Sequence, residues 1–363
     1  MRFETLGTLH WLALAAALVV NGAILSAALI LLLRPLLVRY ALARPSARGL
    51  HSMPTPQGGG IAVLVACGVT AILGADLIGI NSAGITQLLL VLGVAAALAL
   101  LGFVDDVRPL PAGLRLVIQI VLMAAGISLL PEGTRVLPFL PVSIEDALLV
   151  LAGTWFINLT NFMDGMDGIT VVDVVPVAAG LVLFFTWGRV PLGPSLLALG
   201  TLAGLLGYAP FNKPVARLFL GDVGSLPIGF LVAYGLFSLA GAGGGALAAF
   251  VSAVILALYP IADSSLTLLW RLKRRERIWE PHRSHYYQVA VLRGLTVWQV
   301  LARVGLANML LAGLAGLSLR LGGSVPALAG IAAAVVVGVT LGSLSRANGN
   351  RAVPPSAHLP PLS

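Results

Sequence analysis

The acidic residues are the part of this sequence whose types and spacing could do chemistry. Asp and Glu number only fourteen in 363 residues, and nine of them lie at one side of the apolar runs described below. These nine are Asp105, Asp106, Asp164, Asp167, Asp173, Asp222, Asp263, Glu276 and Glu280. Carboxylates gathered beside hydrocarbon are costly and need a counter-charge. A divalent cation that prefers oxygen ligands, Mg²⁺ or Mn²⁺, is the natural candidate.

Two of these acids are adjacent, in the segment Phe103-Val-Asp105-Asp106-Val-Arg108-Pro109. Adjacent carboxylates repel each other, so one pKa rises unless a cation lies between them. The pair therefore suits one carboxylate that faces a metal ion and one that acts as a base. A solvated loop in which Arg108 pairs with the acids is the alternative.

Amide and carboxylate side chains recur every three residues in a second segment. It reads Asn158-Leu-Thr-Asn161-Phe-Met-Asp164-Gly-Met-Asp167-Gly168. On a helix this spacing places the four polar side chains along one ridge. The two glycines would let a ligand approach the backbone. The alternative is a polar helix terminus followed by ordinary turn residues.

A glycine-rich loop carries the next acid. Its sequence is Asn212-Lys213-Pro-Val-Ala-Arg217-Leu-Phe219-Leu-Gly221-Asp222-Val-Gly224-Ser225. Backbone N–H groups and side-chain oxygens in such a loop can surround a phosphate or a metal ion. Lys213 and Arg217 add positive charge, and Phe219 offers a flat face to a base. The alternative is a Gly-Asp turn in which Ser225 caps the next helix.

A histidine opens the polar segment at residues 51–60, which continues with Pro-Thr-Pro and three glycines. The prolines favour an extended approach to the apolar run that follows. His51 is either a phosphate contact or an ordinary surface histidine.

Two more histidines flank an arginine in the segment 280–288. His282 and His285 without a further close ligand make a poor zinc site. Together with Arg283 they suit an anionic phosphate or sugar phosphate. Asp263 either orients one of these cations or is simply solvated.

Composition decides which elements position these residues. Residues of the set AVILMFWYC make up 58% of the chain and only 10% are charged, against about 25% in a soluble domain. This composition excludes a soluble enzyme, a disordered protein and a fibrous protein. The single cysteine, Cys67, excludes a disulfide framework and a cysteine-based zinc site. We expect an all-α integral membrane protein with one polytopic domain over residues 1–343 and a disordered cytoplasmic tail over residues 344–363.

Eleven apolar runs are long enough to cross a bilayer, which takes about 20 residues. They lie near 8–33, 59–80, 84–103, 113–130, 147–163, 169–187, 192–210, 226–241, 244–269, 296–318 and 324–343. Of the 22 Lys and Arg residues, eighteen then fall on one side and four on the other. By the positive-inside rule the N-terminus is outside and the C-terminus cytoplasmic. The excess of basic residues is therefore explained by membrane topology and not by nucleic-acid binding.

The five segments, in this order and on one side of eleven spans, resemble the polyprenyl-phosphate N-acetylhexosamine-1-phosphate transferases, a type 4 glycosyltransferase family. The resemblance covers residues 40–300. It implies a membrane enzyme that moves a sugar-1-phosphate from a UDP-N-acetylhexosamine to undecaprenyl phosphate and releases UMP. It also implies a requirement for Mg²⁺ or Mn²⁺.

The resemblance further implies roles for single residues. Asp222 would be the principal metal ligand, with Asp106 and Asp164 as further ligands. Asp105 would be the base for the lipid phosphate, and the catalytic set would be Asp105, Asp106 and Asp222. Phe219 would stack on uracil. The substrate-binding set would be His51, Asn158, Asn161, Asp164, Asp167, Asn212, Phe219, His282, Arg283 and His285.

The last histidine segment favours one branch of the family. His282-Arg-Ser-His285 stands where the peptidoglycan-precursor branch has three consecutive histidines. It is more similar to the branch that starts O-antigen, capsule or related surface polysaccharides, including lipopolysaccharide. We predict that role at the cytoplasmic face of a bacterial inner membrane. The sequence leaves open the sugar (GlcNAc, GalNAc, FucNAc or QuiNAc) and whether the protein is a homodimer.

Two other functions are open alternatives. One is the peptidoglycan-precursor phospho-sugar transfer of the same family. The other is secondary transport, which would place ionisable groups near the bilayer midplane. Here the acids lie at the cytoplasmic helix ends instead.

Overall fold

The computed structural model describes residues 7–43, 55–243, 246–277 and 282–346. Within these ranges the chain forms thirteen helices and two short strands. The helices are α1 (Thr8–Tyr40), α2 (Gly59–Ile78), α3 (Ser82–Val107), α4 (Ala112–Ser128), α5 (Val142–Met163), α6 (Ile169–Phe185), α7 (Leu192–Asn212), α8 (Asp222–Ala240), α9 (Leu247–Leu256), α10 (Leu258–Lys273), α11 (Tyr286–Leu292), α12 (Val297–Leu321) and α13 (Val325–Ser345). The strands β1 (Leu42–Ala43) and β2 (Thr55–Pro56) pair antiparallel.

The predicted all-α membrane architecture is confirmed. Among the described residues, eight helices are long and apolar enough to cross a membrane, or nine if α9 and α10 form one bent span. The two remaining apolar helices, α4 and α6, have 17 residues each. The count of eleven spans and the N-out orientation therefore stay predictions. Helix α13 includes residues 344 and 345 of the predicted tail, and the tail from residue 347 lies outside the described ranges.

The predicted span 244–269 is not one straight helix. The chain bends by 68° between α9 and α10. Pro260 lies in the first turn of α10, where it has no N–H to donate to the carbonyl of Leu256 and its ring crowds that carbonyl. The break falls between them, at Ala257 (φ −108°, ψ 13°). The bend redirects α10, which carries Asp263.

Helix α8 lies at the centre of the bundle. It packs against α2, α3, α5, α7 and α9, and nearly all of its residues are buried. A helix that is apolar on every side is expected to be surrounded by other helices. By contrast, α1, α3 and α13 expose leucine and valine side chains, among them Leu32, Leu100 and Val339, as lipid-facing helices do. The N-terminus of α8 is therefore positioned by its neighbours.

Glycines let α2 and α3 approach the first turn of α8 closely. A Cβ added at Gly102 of α3 would lie 2.2 Å from the carbonyl oxygen of Asp222. A Cβ added at Gly60 of α2 would lie 2.2 Å from the Cα of Gly224. Helices in a bilayer associate largely by such close packing of small residues. These two contacts determine where the first turn of α8 lies.

The described polar segments meet at one end of the bundle, which we call the acidic end. It comprises the loops 108–111, 164–168 and 213–221 together with residues 55–58. These segments touch directly: the N–H of Phe219 donates to the carbonyl of Pro56 (2.8 Å) and the N–H of Ala216 donates to Asp167 (3.0 Å). Alternate loops of an up-and-down bundle lie on the same side, as the sequence analysis predicts for these segments.

We expect Gly102→Ala to destabilise the protein and Gly93→Ala, on the same helix, to leave its stability unchanged or raise it. Overpacking at a close helix crossing costs about 1–3 kcal/mol. A Cβ at Gly93 meets nothing within 4 Å, and alanine is the better helix former. The melting temperatures of the two purified variants in detergent measure this difference. Equal melting temperatures would contradict the proposed crossing.

Candidate functional site

A carboxylate from α3 holds the N-terminus of α8. Oδ1 of Asp106 accepts a hydrogen bond from the N–H of Asp222 and Oδ2 accepts one from the N–H of Val223, each at 3.1 Å. The first N–H groups of a helix have no partner inside the helix and attract negative charge. Gly221 makes room for this contact, because its φ is +77° and a Cβ there would lie 2.7 Å from Oδ2 of Asp106.

Asp222, the first residue of α8, meets side chains from two more helices. Nδ2 of Asn161 in α5 donates to Oδ1 of Asp222 (2.6 Å) and also to Oγ of Ser225 (2.9 Å). Nη1 of Arg115 in α4 lies 3.8 Å from Oδ2 of Asp222. Arg115 also forms an ion pair with Asp105 of α3. Helices α3 and α8 thus bring two carboxylates to the one guanidinium of α4.

The ridge predicted for Asn158, Asn161, Asp164 and Asp167 is wrong beyond Asn161. Helix α5 ends one residue before Asp164, and Gly168, with a φ of +73°, turns the chain into α6. Glycine adopts this left-handed conformation without strain. The asparagines therefore lie on α5, while the two aspartates lie in the turn and meet other partners.

The two aspartates of this turn accept hydrogen bonds from neighbouring residues. The hydroxyl of Thr170 donates to Oδ1 of Asp164, and Asp167 is the acceptor for Ala216. Burial raises the pKa of Asp164 to about 8, and the nearby carboxylate of Asp222 contributes to the rise. A cation bound beside Asp164 would oppose this shift, because it favours the ionised form.

Hydrogen bonds hold the loop before α8 on both of its sides. Oδ1 of Asn212 accepts from the N–H of Gly168 (2.7 Å) and its Nδ2 donates to the carbonyl of Leu218 (3.0 Å). Asn212 is only 4% exposed, so its amide links two loops of the acidic end. Phe219 is half-buried, and its backbone bonds to Pro56 on the other side. Contact of these residues with a nucleotide stays a prediction.

The histidine segment lies against the end of α5. The rings of His282 and His285 stack with their centroids 4.9 Å apart, and the ring of Phe162 is 6.2 Å from that of His285. The hydroxyl of Tyr287 donates to the carbonyl of Phe162 (3.0 Å). Arg283 is exposed. Since Phe162 follows Asn161 directly, both histidines lie close to the acidic end.

Asp263 is buried and not solvated, which decides between the two alternatives left by the sequence. Its Oδ1 lies 3.1 Å from Nδ1 of His285. It therefore orients a histidine of this segment. His51 lies outside the described residues.

Comparison with known proteins shows a similarity to one family. Residues 88–240 match the family model described as Glycosyl transferase family 4, a range that holds Asp105, Asp106, Asn161 and Asp222. That segment of the chain is similar to glycosyl transferase family 4.

Three relatives show how far the similarity extends. A Bacillus subtilis protein named as a probable undecaprenyl-phosphate N-acetylglucosaminyl 1-phosphate transferase is 27% identical, with 77% of this chain and 78% of the relative covered. A decaprenyl-phosphate N-acetylglucosaminephosphotransferase of Mycolicibacterium smegmatis is 27% identical, with 70% of each chain covered. A phospho-N-acetylmuramoyl-pentapeptide-transferase of Desulforudis audaxviator is 30% identical, with 50% of this chain and 62% of the relative covered. They support phospho-sugar transfer as the general class of reaction.

Arg115 is the residue that the sequence analysis missed, since it counted there only as a cytoplasmic charge. In the described residues Arg115, and not Arg108, forms the ion pair with Asp105. One signal could have indicated it. Arg115 lies in the first turn of α4, where a positive charge is unfavourable unless acids face it.

A helix-to-helix amide contact was also missed. Nδ2 of Asn158 donates to Oε1 of Gln119 in α4 (2.7 Å). Asn158 and Asn161 thus reach different partners although they share a helix. This contact holds α4 against α5 one turn from Arg115.

The carboxylates at the start of α8 are of the chemical type that Mg²⁺ prefers as a ligand. Among the described residues, no group of three His, Cys, Asp or Glu side chains is arranged to hold a metal ion by itself. Mg²⁺ is usually bound through one or two carboxylates, with water and substrate phosphates as the other ligands. Asp106 and Asp222 supply such carboxylates, and an oxygen that accepts one hydrogen bond keeps a second lone pair.

We expect Asp106→Ala to lower the melting temperature even without metal or nucleotide, because two N–H groups of α8 lose their acceptor. Loss of such a helix cap costs about 0.5–2 kcal/mol. Asp106→Asn keeps one acceptor oxygen and should cost less. Thermal unfolding in a chelating buffer measures both variants, with Asp146→Ala, at an exposed acid of α5, as the control. A wild-type melting temperature for Asp106→Ala would refute the capping role.

Proposed function

We propose that this protein transfers an N-acetylhexosamine-1-phosphate from a UDP-sugar to undecaprenyl phosphate, giving undecaprenyl-diphospho-sugar and UMP. The observation that carries the proposal is the convergence of Asp105, Asp106 and Asp222 near Arg115 at one end of an apolar bundle. The names of the Bacillus and Mycolicibacterium relatives support a polyprenyl-phosphate acceptor and an N-acetylglucosamine-phosphate donor.

The pathway we propose is the first membrane step of a surface polysaccharide, O-antigen or a related cell-envelope glycan. The segment His282-Arg-Ser-His285 supports this branch. The excess of Lys and Arg on the side of the acidic end supports a cytoplasmic active site in a bacterial inner membrane.

Phosphoryl transfer depends on positioning and charge neutralisation. An oxygen of the lipid phosphate forms a bond to the phosphorus next to the sugar, and the bond from that phosphorus to UMP breaks. Arg115 can present several N–H donors to a phosphate in a fixed planar arrangement. Asp106 already accepts from the first N–H groups of α8, so that helix end does not bind the phosphate directly.

We propose that Mg²⁺, or Mn²⁺ in its place, binds at Asp106 and Asp222 with Asp164 nearby. When bound, the ion neutralises charge on the diphosphate. Asn161 would then have a positioning role, because its amide already fixes Oδ1 of Asp222.

The remaining predicted contacts would enclose the nucleotide sugar. Phe219 would stack on uracil, with Asn161, Asp164, Asp167 and Asn212 around the nucleotide. His282, Arg283 and His285 would meet the diphosphate or the sugar. Of the four sugars, the relatives' names support GlcNAc.

A second candidate is transfer of phospho-N-acetylmuramoyl-pentapeptide. It is favoured by the Desulforudis relative, which is 30% identical over 212 residues. The two candidates share the chemistry and differ in the sugar, so a panel of UDP-sugars separates them. Secondary transport predicts flux without UMP release.

We expect the purified protein to release UMP when it receives undecaprenyl phosphate, Mg²⁺ and UDP-GlcNAc, and to release none when any one is left out. Asp222→Ala should lower the rate at least about 100-fold, as loss of a charge-stabilising group at a reacting centre does. Asp146→Asn, far from the acidic end, is the matched control. The measurement is UMP formation with a panel that includes UDP-GalNAc, UDP-FucNAc, UDP-QuiNAc and UDP-MurNAc-pentapeptide.

Failure of the folded protein with every sugar would reject the proposal. Equal activity of Asp222→Ala would reject this site.

We expect Asp105→Asn to lower kcat by about 100-fold or more if Asp105 is the base for the lipid phosphate. The asparagine amide cannot take up a proton as a base does, so the variant should also change the pH–rate profile. The profile of kcat, measured with saturating substrates, tests the role. Retention of most activity with an unchanged profile would exclude a base and leave Asp105 as the anchor of Arg115.

A further inference from the structure

Five hydrogen-bonding groups surround the carboxylate of Asp263 in α10. The side chain has no exposed surface. Its Oδ1 faces Nδ1 of His285 (3.1 Å), the N–H of Tyr286 (3.1 Å) and the hydroxyl of Thr267 (3.4 Å). Its Oδ2 faces the hydroxyl of Tyr259 (3.2 Å) and the N–H of Tyr287 (3.4 Å). A carboxylate is an acceptor with about four lone-pair sites, so these five groups use its full capacity to accept.

This arrangement determines which ring nitrogen of His285 carries hydrogen. Backbone N–H groups can only donate, and each oxygen of Asp263 faces one of them. An ionised carboxylate can only accept, so Nδ1 of His285 donates to Oδ1 when Asp263 is ionised. The bond made by one ring nitrogen determines the state of the other. Nε2 is the ring nitrogen that does not face Asp263.

The ring of His285 is fixed in direction as well. His282 stacks on it at 4.9 Å with 25° between the ring planes, and Tyr287 stacks at 5.8 Å. His285 is 2% exposed, so the ring has little freedom to turn. Because Phe162 packs beside it, the ring is held next to the segment of α5 that reaches Asp222.

The bend between α9 and α10 makes this contact possible. Asp263 lies three residues after Pro260, on the redirected helix. Its carboxylate joins α10 to the backbone N–H groups that open α11. One buried carboxylate thus holds both the side chain of His285 and the chain that follows it.

We propose that Asp263 is a positioning residue of the transferase, which keeps His285 in its Nδ1–H form and directs Nε2 to the diphosphate of the nucleotide sugar. The inference rests on the proposed function for its substrate. The contact between Asp263 and His285 does not depend on the proposed function. The contact and its role in the reaction are therefore tested by separate measurements.

Nitrogen-15 NMR of the histidine rings in the wild-type protein tests the contact without any substrate. The chain has five histidines, and His285→Gln assigns the signal. We expect a protonated Nδ1 at His285 in the wild type and in Asp263→Glu. In Asp263→Asn we expect loss of the Nδ1–H signal or its exchange with the Nε2–H form. An Nε2–H tautomer in the wild type would overturn the inference.

Kinetics of UMP release tests the role in the reaction. We expect Asp263→Asn and His285→Gln each to lower kcat by about 100-fold, the effect of a misplaced group, with the KM for undecaprenyl phosphate within about threefold of wild type. Asp263→Glu should recover part of the activity. The double variant should be no slower than His285→Gln alone, because coupled residues are non-additive. Asp146→Asn is the control for the charge change.

The possible results separate the two proposals. Independent, multiplicative losses in the double variant would mean that Asp263 acts on stability and would overturn the inference. Wild-type activity of His285→Gln would also overturn it. If the wild type releases no UMP while NMR shows a protonated Nδ1 at His285, the proposed function fails. The part of the inference that concerns the diphosphate fails with it, and the Asp263–His285 contact stands.

Discussion

The contact between Asp106 and the first N–H groups of α8 is the interaction on which the site depends. Inside a membrane bundle an unsatisfied N–H group is costly, and α8 begins among buried helices. Asp106 satisfies two of these groups from a neighbouring helix. The bond also places Asp222 within reach of Asn161 and Arg115. The same two hydrogen bonds therefore stabilise the helix end and position the proposed metal site.

Several polar side chains of the acidic end bind backbone. Asp105 accepts from the N–H of Leu110 (2.7 Å) as well as from Arg115, and Asn212 joins the turn before α6 to the loop before α8. Loops at a membrane surface carry many backbone groups without regular partners, and these side chains supply them. The described loops of the acidic end are therefore held in place by hydrogen bonds within the chain, and phosphoryl transfer depends on such positioning.

A bend in the helix path completes the site from the other side. Pro260 interrupts the helix, α10 turns away by 68°, and Asp263 comes to lie beside the histidine segment. The buried carboxylate then fixes His285 through hydrogen bonds. The bent span formed by α9 and α10 thus carries one buried carboxylate, at the position where it can bind the histidine segment.

The sequence by itself determined the membrane class, the approximate positions of most long helices and the placement of the described motifs at one end. Hydropathy and charge are properties of short windows, and alternate loops of a bundle share a side. The adjacent acids Asp105 and Asp106 were visible for the same reason. Only the tertiary structure showed that Arg115 pairs with Asp105 and that Asp263 is buried against His285. It also showed that the polar ridge ends after Asn161. These contacts depend on how helices rotate and pack, and a local pattern of residue types carries no information about that.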